Sequence, residues 1–185
     1  MKETTDTSVM ESTAEDLISH KLLRGGILVA KPKVDQEGAD LLGLLQVTDG
    51  ARFCRIQCKG RSLLGSAHTS VELPARYVTS AFVLFLFVET GDQDTTHLFV
   101  FLGSEIQQAW TPIEIDGKPG YRLSISKAKV ERDLTPYRFT DQRVEEVKRV
   151  IRNANVAGEF SALGATGAMS YSSELNRFRS WGMFR

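Results

Sequence analysis

The chain is poor in cysteine and histidine, and this shortage argues against a metal site built from these two residue types. Its 185 residues include two cysteines, Cys54 and Cys58, and three histidines. On a single extended strand the two cysteines would lie about 13 Å apart, which is too far for a disulfide. We therefore expect buried thiols in a reducing compartment, and the same low counts disfavour a site built from cysteine and histidine.

Long apolar runs and a charge of one sign are also missing. The most apolar run, residues 81–88, is far shorter than the roughly 20 residues that a membrane-spanning helix needs. The polar, acidic start, residues 1–12, does not resemble a signal peptide. We therefore expect a cytoplasmic protein with no membrane partner.

The net charge of zero gives no global attraction to nucleic acid, although a local basic patch would be enough. Residues 52–61 offer four basic residues and no acid: Arg52, Arg55, Lys59 and Arg61.

The most informative pattern is a hairpin between residues 40 and 59. Residues 41–47 are mostly apolar, Asp49-Gly50 is typical of a tight turn, and residues 52–59 resume a strand pattern. Antiparallel pairing would bring Asp40 close to Gln57 and Lys59, which project from one face of the second strand. A carboxylate, an amide oxygen and an ammonium would meet there. Such oxygens suit Mg²⁺, and a lysine beside them can position water or stabilise a developing anion.

This arrangement resembles the PD-(D/E)xK nuclease superfamily, in which an aspartate is followed by a (Glu/Asp)-x-Lys motif on the next strand. Here the motif would be Asp40 and Gln57-Cys58-Lys59. Residues 14–40 resemble the family's opening, which is a helix with a glutamate (here Glu15), a glycine, a short strand and a loop that delivers the aspartate. The chain is most similar to uncharacterised bacterial and phage nuclease-like domains that also carry glutamine at this motif position.

The resemblance implies an α/β (α+β) fold, a restriction-endonuclease-like mixed β-sheet flanked by helices with the core order αβββαβ. It implies a metal-dependent nuclease that hydrolyses phosphodiester bonds, with nucleic acid, in the first place DNA, as partner and Mg²⁺ or Mn²⁺ as cofactor. The side chains of Asp40 and Gln57 and the backbone carbonyl of Cys58 would hold the metal. Because glutamine adds no charge, we expect a single ion.

Four further residues receive roles in this interpretation. Lys59 would orient or activate the attacking water, and Glu15 would assist as a helix carboxylate. Arg55 and Arg61 are the expected contacts to nucleic-acid phosphates, since Arg55 shares the strand face of the motif.

Each site residue also has an ordinary structural interpretation. Asp40 suits the turn before a strand, and Glu15 fits a capping box with Ser12. The glutamine in the motif leaves open a catalytically silent relative that binds nucleic acid or a protein partner. A homo-oligomeric scaffold is the third alternative.

The chain divides into three predicted parts. We expect residues 1–12 to be disordered, residues 13–156 to form the nuclease-like domain, and residues 157–185 to form a Gly/Ala/Ser linker with a basic and aromatic tail. The tail would bind nucleic acid, complete the core or dock on a second subunit. We favour a protein contact through it, for which a homo-oligomer is one possibility, because Phe178, Trp181 and Phe184 are spaced like one face of a helix. The expected strands are 27–31, 40–47, 52–60, 71–73, 81–89, 97–102, 112–115 and 121–126, and the expected helices are 12–24, 74–79, 104–110 and 140–153.

Overall fold

The computed structural model describes residues 7–33, 38–48, 50–91 and 96–154 of the chain. Its helices are α1 (Thr7–Arg24), α2 (Gly103–Ala109), α3 (Lys127–Glu131) and α4 (Asp141–Asn153). Its strands are β1 (Leu28–Ala30), β2 (Leu41–Val47), β3 (Gly50–Ser62), β4 (His68–Pro74), β5 (Phe82–Glu89), β6 (Thr96–Leu102), β7 (Thr111–Ile115) and β8 (Lys118–Ser126). The tail predicted over residues 157–185 lies outside the described residues.

Two sheets organise these strands. The larger sheet has the order β1-β2-β3-β5-β6, in which β3 and β5 run parallel and the other neighbours run antiparallel. The smaller sheet is antiparallel and has the order β4-β8-β7. The predicted mixed sheet is therefore present, with a second sheet beside it.

Strand β5 separates two hydrophobic cores. Its residues Phe82, Val83, Leu84, Phe85 and Leu86 are all fully buried, as expected for a strand covered on both faces. Leu84 and Leu86 pack towards the smaller sheet, whereas Val83 and Phe85 pack towards α1 and α4. The predicted central strand is thus correct.

Helix α1 begins earlier than predicted. It starts at Thr7, so residues 7–12 are helical and Ser12 lies inside the helix instead of capping it. No glycine or proline interrupts residues 7–24, and extending a formed helix costs little. The buried stripe is Ala14, Ile18 and Leu22, spaced four residues apart. Leu23, next to this stripe, is exposed.

The connection between β3 and β5 differs from the predicted αβββαβ order. The place of the second core helix is taken by β4 and a single 3-10 turn, Ala75–Tyr77. Strand β4 is longer than predicted because His68 and Thr69 pair with Ser126 and Ile125 of β8. No helix among the described residues is long and apolar enough to span a membrane.

Candidate active site

The site begins where β2 meets the end of β3. Leu41 pairs with Ile56, so Asp40, one residue earlier, lies opposite Gln57. The backbone amide of Asp40 donates to Ile56 O at 3.0 Å, and the amide of Cys58 donates to Asp40 Oδ2 at 2.6 Å. The structure therefore brings Asp40 directly beside the Gln57-Cys58-Lys59 segment.

The two faces of β3 have different surroundings. Cys54, Ile56 and Cys58 are buried in the core that contains α1 and α4, and both cysteines are free. Residues on alternate positions of a strand face opposite ways, so Arg55, Gln57 and Lys59 occupy the other face. The predicted face assignment of this strand is therefore correct.

Gln57 carries an unpaired oxygen at this point. The residue is 7% exposed, and its Oε1 is buried without a hydrogen-bond partner among the described residues. A buried polar atom left without a partner costs about 1–3 kcal/mol. A buried amide oxygen on the strand segment that also holds the Asp40 carboxylate is suited to a cation.

Four charged side chains act electrostatically on the Cys58 thiol. Burial raises the pKa of Cys58 well above its usual range, and the carboxylates of Asp40 and Glu15 raise it further. The ammonium groups of Lys59 and Lys31 act on the same pKa in the opposite direction. Two carboxylates and two ammonium groups therefore act on this end of β3.

Glu15 reaches the site from α1 and forms an ion pair with Lys31. The pKa of Lys31 is raised by its hydrogen bond to Glu15 and by the charge of that carboxylate, with smaller contributions from Asp16 and Asp40. Lys31 had no role in the sequence prediction. Its position follows from the β1–β2 register. Ala30 pairs with Leu42, and continuing this antiparallel register places Lys31 opposite Leu41, the residue that follows Asp40.

The loop that delivers Asp40 packs on a tyrosine. Gly38 has a φ of +67°, and a Cβ on it would lie 2.8 Å from Tyr77 Cδ2. The exposed Arg76 lies over the Tyr77 ring, 4.9 Å from its centroid, and donates to Tyr77 Oη at 2.9 Å. An exposed guanidinium on an aromatic ring thus stands near the Asp40 loop. No sequence motif indicated these residues, because the turn that carries them contacts the loop only in the folded chain.

Arg55 does not take the place predicted for it. The residue is 0% exposed, and its Nη2 donates to Tyr77 O at 3.2 Å and to Thr79 Oγ1 at 3.3 Å. This burial contradicts the prediction that Arg55 contacts a phosphate, since its guanidinium has no exposed surface that a phosphate could reach. The physical reason is that β3 is an inner strand, so the neighbouring turn covers this face.

Arg61 is half-buried and holds backbone groups near the start of β4. Its Nε donates to Ser70 O at 2.8 Å and its Nη1 to Gly60 O at 2.6 Å. A role at a phosphate stays a prediction for this residue.

The donor chemistry fits a hard divalent cation. Within the described ranges, no group of three or more His, Cys, Asp or Glu side chains could hold a metal ion. The candidate donors are instead the Asp40 carboxylate, the Gln57 amide oxygen and, as predicted from the motif, a backbone carbonyl at Cys58. All three are oxygens, which Mg²⁺ and Mn²⁺ prefer.

Comparisons with known proteins bear on the fold. No family model and no curated protein matches the chain. A solved structure of the bacterial homing endonuclease I-Ssp6803I is similar, with a TM-score of 0.51 and 12% identity, over 82% of this chain and 99% of that one. A Holliday junction resolvase from Archaeoglobus fulgidus, Hjc, matches with a TM-score of 0.38 and 12% identity, over 65% of this chain and 93% of its own.

The likeness to the homing endonuclease is a likeness of fold. The chain has a restriction-endonuclease-like fold, a mixed sheet flanked by helices. This confirms the fold class that the sequence resemblance implied.

Proposed function

We propose that the chain is a metal-dependent nuclease that hydrolyses phosphodiester bonds in nucleic acid, with DNA as the expected substrate. The observation that carries the proposal is the pair formed by Asp40 and Gln57. The Asp40 carboxylate is bound to the backbone of Cys58, and the amide oxygen of the preceding residue, Gln57, is buried without a hydrogen-bond partner among the described residues. The fold, which is that of nucleases such as the homing endonuclease, supports the same conclusion.

Asp40, the Gln57 side chain and the Cys58 carbonyl would hold one Mg²⁺ or Mn²⁺. The bound ion would supply Lewis-acid stabilisation of charge on the phosphate. The Cys58 amide holds Oδ2 of Asp40 in place. A carboxylate fixed in this way loses little conformational entropy when it binds, so the hairpin preorganises the site.

Lys59 is the proposed catalytic residue that is not a ligand. It follows Gln57 by two positions and shares its strand face, and its charge acts at the Cys58 thiol together with that of Asp40. An ammonium here would orient the attacking water and stabilise the negative charge that develops on the phosphate.

Arg76 replaces Arg55 as the proposed phosphate contact. It is exposed, it lies on Tyr77 beside the Asp40 loop, and it lines a cleft with Lys118 from the β7–β8 turn. Because the chain has no net charge, affinity for a phosphate backbone would depend on such local groups. Arg55 supports the contact indirectly, since it holds the backbone of Tyr77.

A cleavage assay tests the proposal. Plasmid, linear duplex, single-stranded DNA and RNA are incubated with the protein and Mg²⁺, with EDTA as the metal-free control. We expect Mg²⁺-dependent cleavage of at least one substrate and a loss of about 10²–10³ in rate for Lys59→Met. Asp40→Asn should be inactive, while Lys127→Met, an exposed lysine on α3, should keep the wild-type rate.

Two results would separate the alternatives. Wild-type protein that cuts none of these substrates, with Gln57→Glu equally inert, would favour a catalytically silent module. A rate unchanged in Lys59→Met would refute the role of that lysine.

A further inference from the structure

The Glu15–Lys31 pair is asymmetric. The Glu15 side chain is 16% exposed and lies on α1 beside the fully buried Ala14, whereas the Lys31 side chain is 64% exposed. Lys31 also follows β1, a three-residue strand at the edge of the sheet. An exposed lysine carries its charge on a flexible, solvated stem. Lys31 is therefore the partner that can move, and Glu15 is the partner that stays.

Lys31 also sets the charge of the site. Asp40 and Glu15 supply two negative charges, and Lys31 and Lys59 supply two positive ones, so the four charges that act on the Cys58 thiol sum to zero. A neutral cluster attracts a divalent cation weakly, and an ammonium bound to Glu15 competes for the same oxygens. If Lys31 leaves, the cluster becomes negative and a second carboxylate is free.

We propose that Lys31 couples nucleic-acid binding to metal binding at this site. In the free protein its ammonium neutralises Glu15; when nucleic acid binds, a backbone phosphate takes up the ammonium and Glu15 joins Asp40 in attracting the cation. The inference rests on the proposed function. The Lys31 end of the pair is 64% exposed and therefore screened by solvent, so a dense line of phosphates can compete for this lysine.

The first test measures Mn²⁺ affinity of the full chain by isothermal titration calorimetry without nucleic acid. Lys31→Met should bind Mn²⁺ on the order of tenfold more tightly, because it removes a positive charge from the site. Lys33→Met, the matched loss of an exposed lysine two residues away, should change the affinity much less. Lys31→Arg should retain wild-type affinity, and adding Glu15→Gln to Lys31→Met should remove the gain.

The second test measures the same coupling through the effect of Mn²⁺ on DNA binding. Binding to a labelled DNA duplex is followed by fluorescence anisotropy with and without Mn²⁺ in a Lys59→Met background, in which cleavage is expected to be about 10²–10³ slower. Linkage is reciprocal, so Mn²⁺ should tighten DNA binding in that background. The tightening should be clearly smaller when Lys31→Met is added, since Glu15 is then already free.

The outcomes distinguish this inference from the function on which it rests. If Asp40→Asn abolishes Mn²⁺ binding but Lys31→Met binds like the wild type, the coupling is refuted and the metal site stands. If the wild-type protein binds no Mn²⁺, with or without DNA, both proposals are refuted. A gain in Lys31→Met that Lys33→Met reproduces would also overturn the coupling, since it would reflect net charge alone.

Discussion

Asp40 Oδ2 accepts a hydrogen bond of 2.6 Å from the backbone amide of Cys58, the residue between Gln57 and Lys59. This bond ties the first carboxylate of the candidate site to the strand that carries its other members. The relative positions of Asp40, Gln57 and Lys59 therefore depend on the register of one hairpin, and a rigid sheet holds them.

The Gly38 loop offers a test of how the site is supported. Gly38→Ala should destabilise the protein by about 1–3 kcal/mol, because alanine is strained at positive φ and its Cβ would meet the Tyr77 ring. Urea unfolding measures the change. Gly65→Ala is the matched control, since a Cβ there meets nothing within 4 Å, and it should stay within about 0.5 kcal/mol of the wild type. Equal effects of the two substitutions would contradict this account of the loop.

Arg55 should prove to be a structural residue. Arg55→Ala should lower the free energy of unfolding by about 3 kcal/mol or more, because it opens a cavity at a fully buried side chain and removes a donor from the partly buried Tyr77 carbonyl. Arg149→Ala, on the exposed face of α4, should change it by less than about 0.5 kcal/mol. Thermal and urea unfolding compare the two variants. An Arg55→Ala protein of wild-type stability with weakened DNA binding would restore the phosphate role.

The buried position of Cys58 predicts how thiol reactivity and stability depend on pH. Burial and the neighbouring carboxylates raise the pKa of Cys58, so this thiol should stay protonated and resist a thiol-specific reagent at pH 8 in the folded protein. Both thiols should react after denaturation. The pKa of Cys58 is higher in the folded protein than in the unfolded chain. The contribution of the protonated Cys58 thiol to stability is therefore complete below the unfolded pKa and is lost as pH rises through the folded pKa. Rapid labelling of native Cys58 at pH 8 would contradict the buried position.

The domain boundary predicts a separable tail. The last buried residues of the described core are Ile151 and Ala154, and residues 157–173 are rich in glycine, alanine and serine. Deleting residues 158–185 should leave the thermal midpoint nearly unchanged while reducing self-association, if the aromatic tail joins two copies. Light scattering and thermal unfolding measure both effects. A large drop in midpoint for a protein that was monomeric from the start would place the tail aromatics in the core.

The hairpin and the central strand could be predicted from sequence because local chemistry specifies them. Asp49-Gly50 favours a tight turn, and residues 82–86 are an uninterrupted apolar run that only a doubly covered strand accommodates. Pairing then follows from geometry, which is why Asp40 could be placed beside Gln57. The start of α1 could not be located in this way, because the apparent capping residue Ser12 lies within a longer helix.

The remaining features depend on tertiary contacts that leave no local pattern. The turn that carries Tyr77 replaces an expected helix, and with it come the burial of Arg55 and the exposed position of Arg76. The position of Lys31 also depends on tertiary contacts that leave no local pattern. Knowing the β1–β2 register would have placed it near Asp40. A charged residue on a strand face is ambiguous until the elements covering that face are known.

The most direct measurement is Mn²⁺ binding to the purified full chain by isothermal titration calorimetry, with Asp40→Asn and Gln57→Glu as variants. The account predicts one ion per chain in the wild type and no binding in Asp40→Asn. It predicts tighter binding in Gln57→Glu, because a charge is added where the amide oxygen now lies. Wild-type protein that binds no Mn²⁺, or an affinity that Asp40→Asn leaves unchanged, would contradict the metal site.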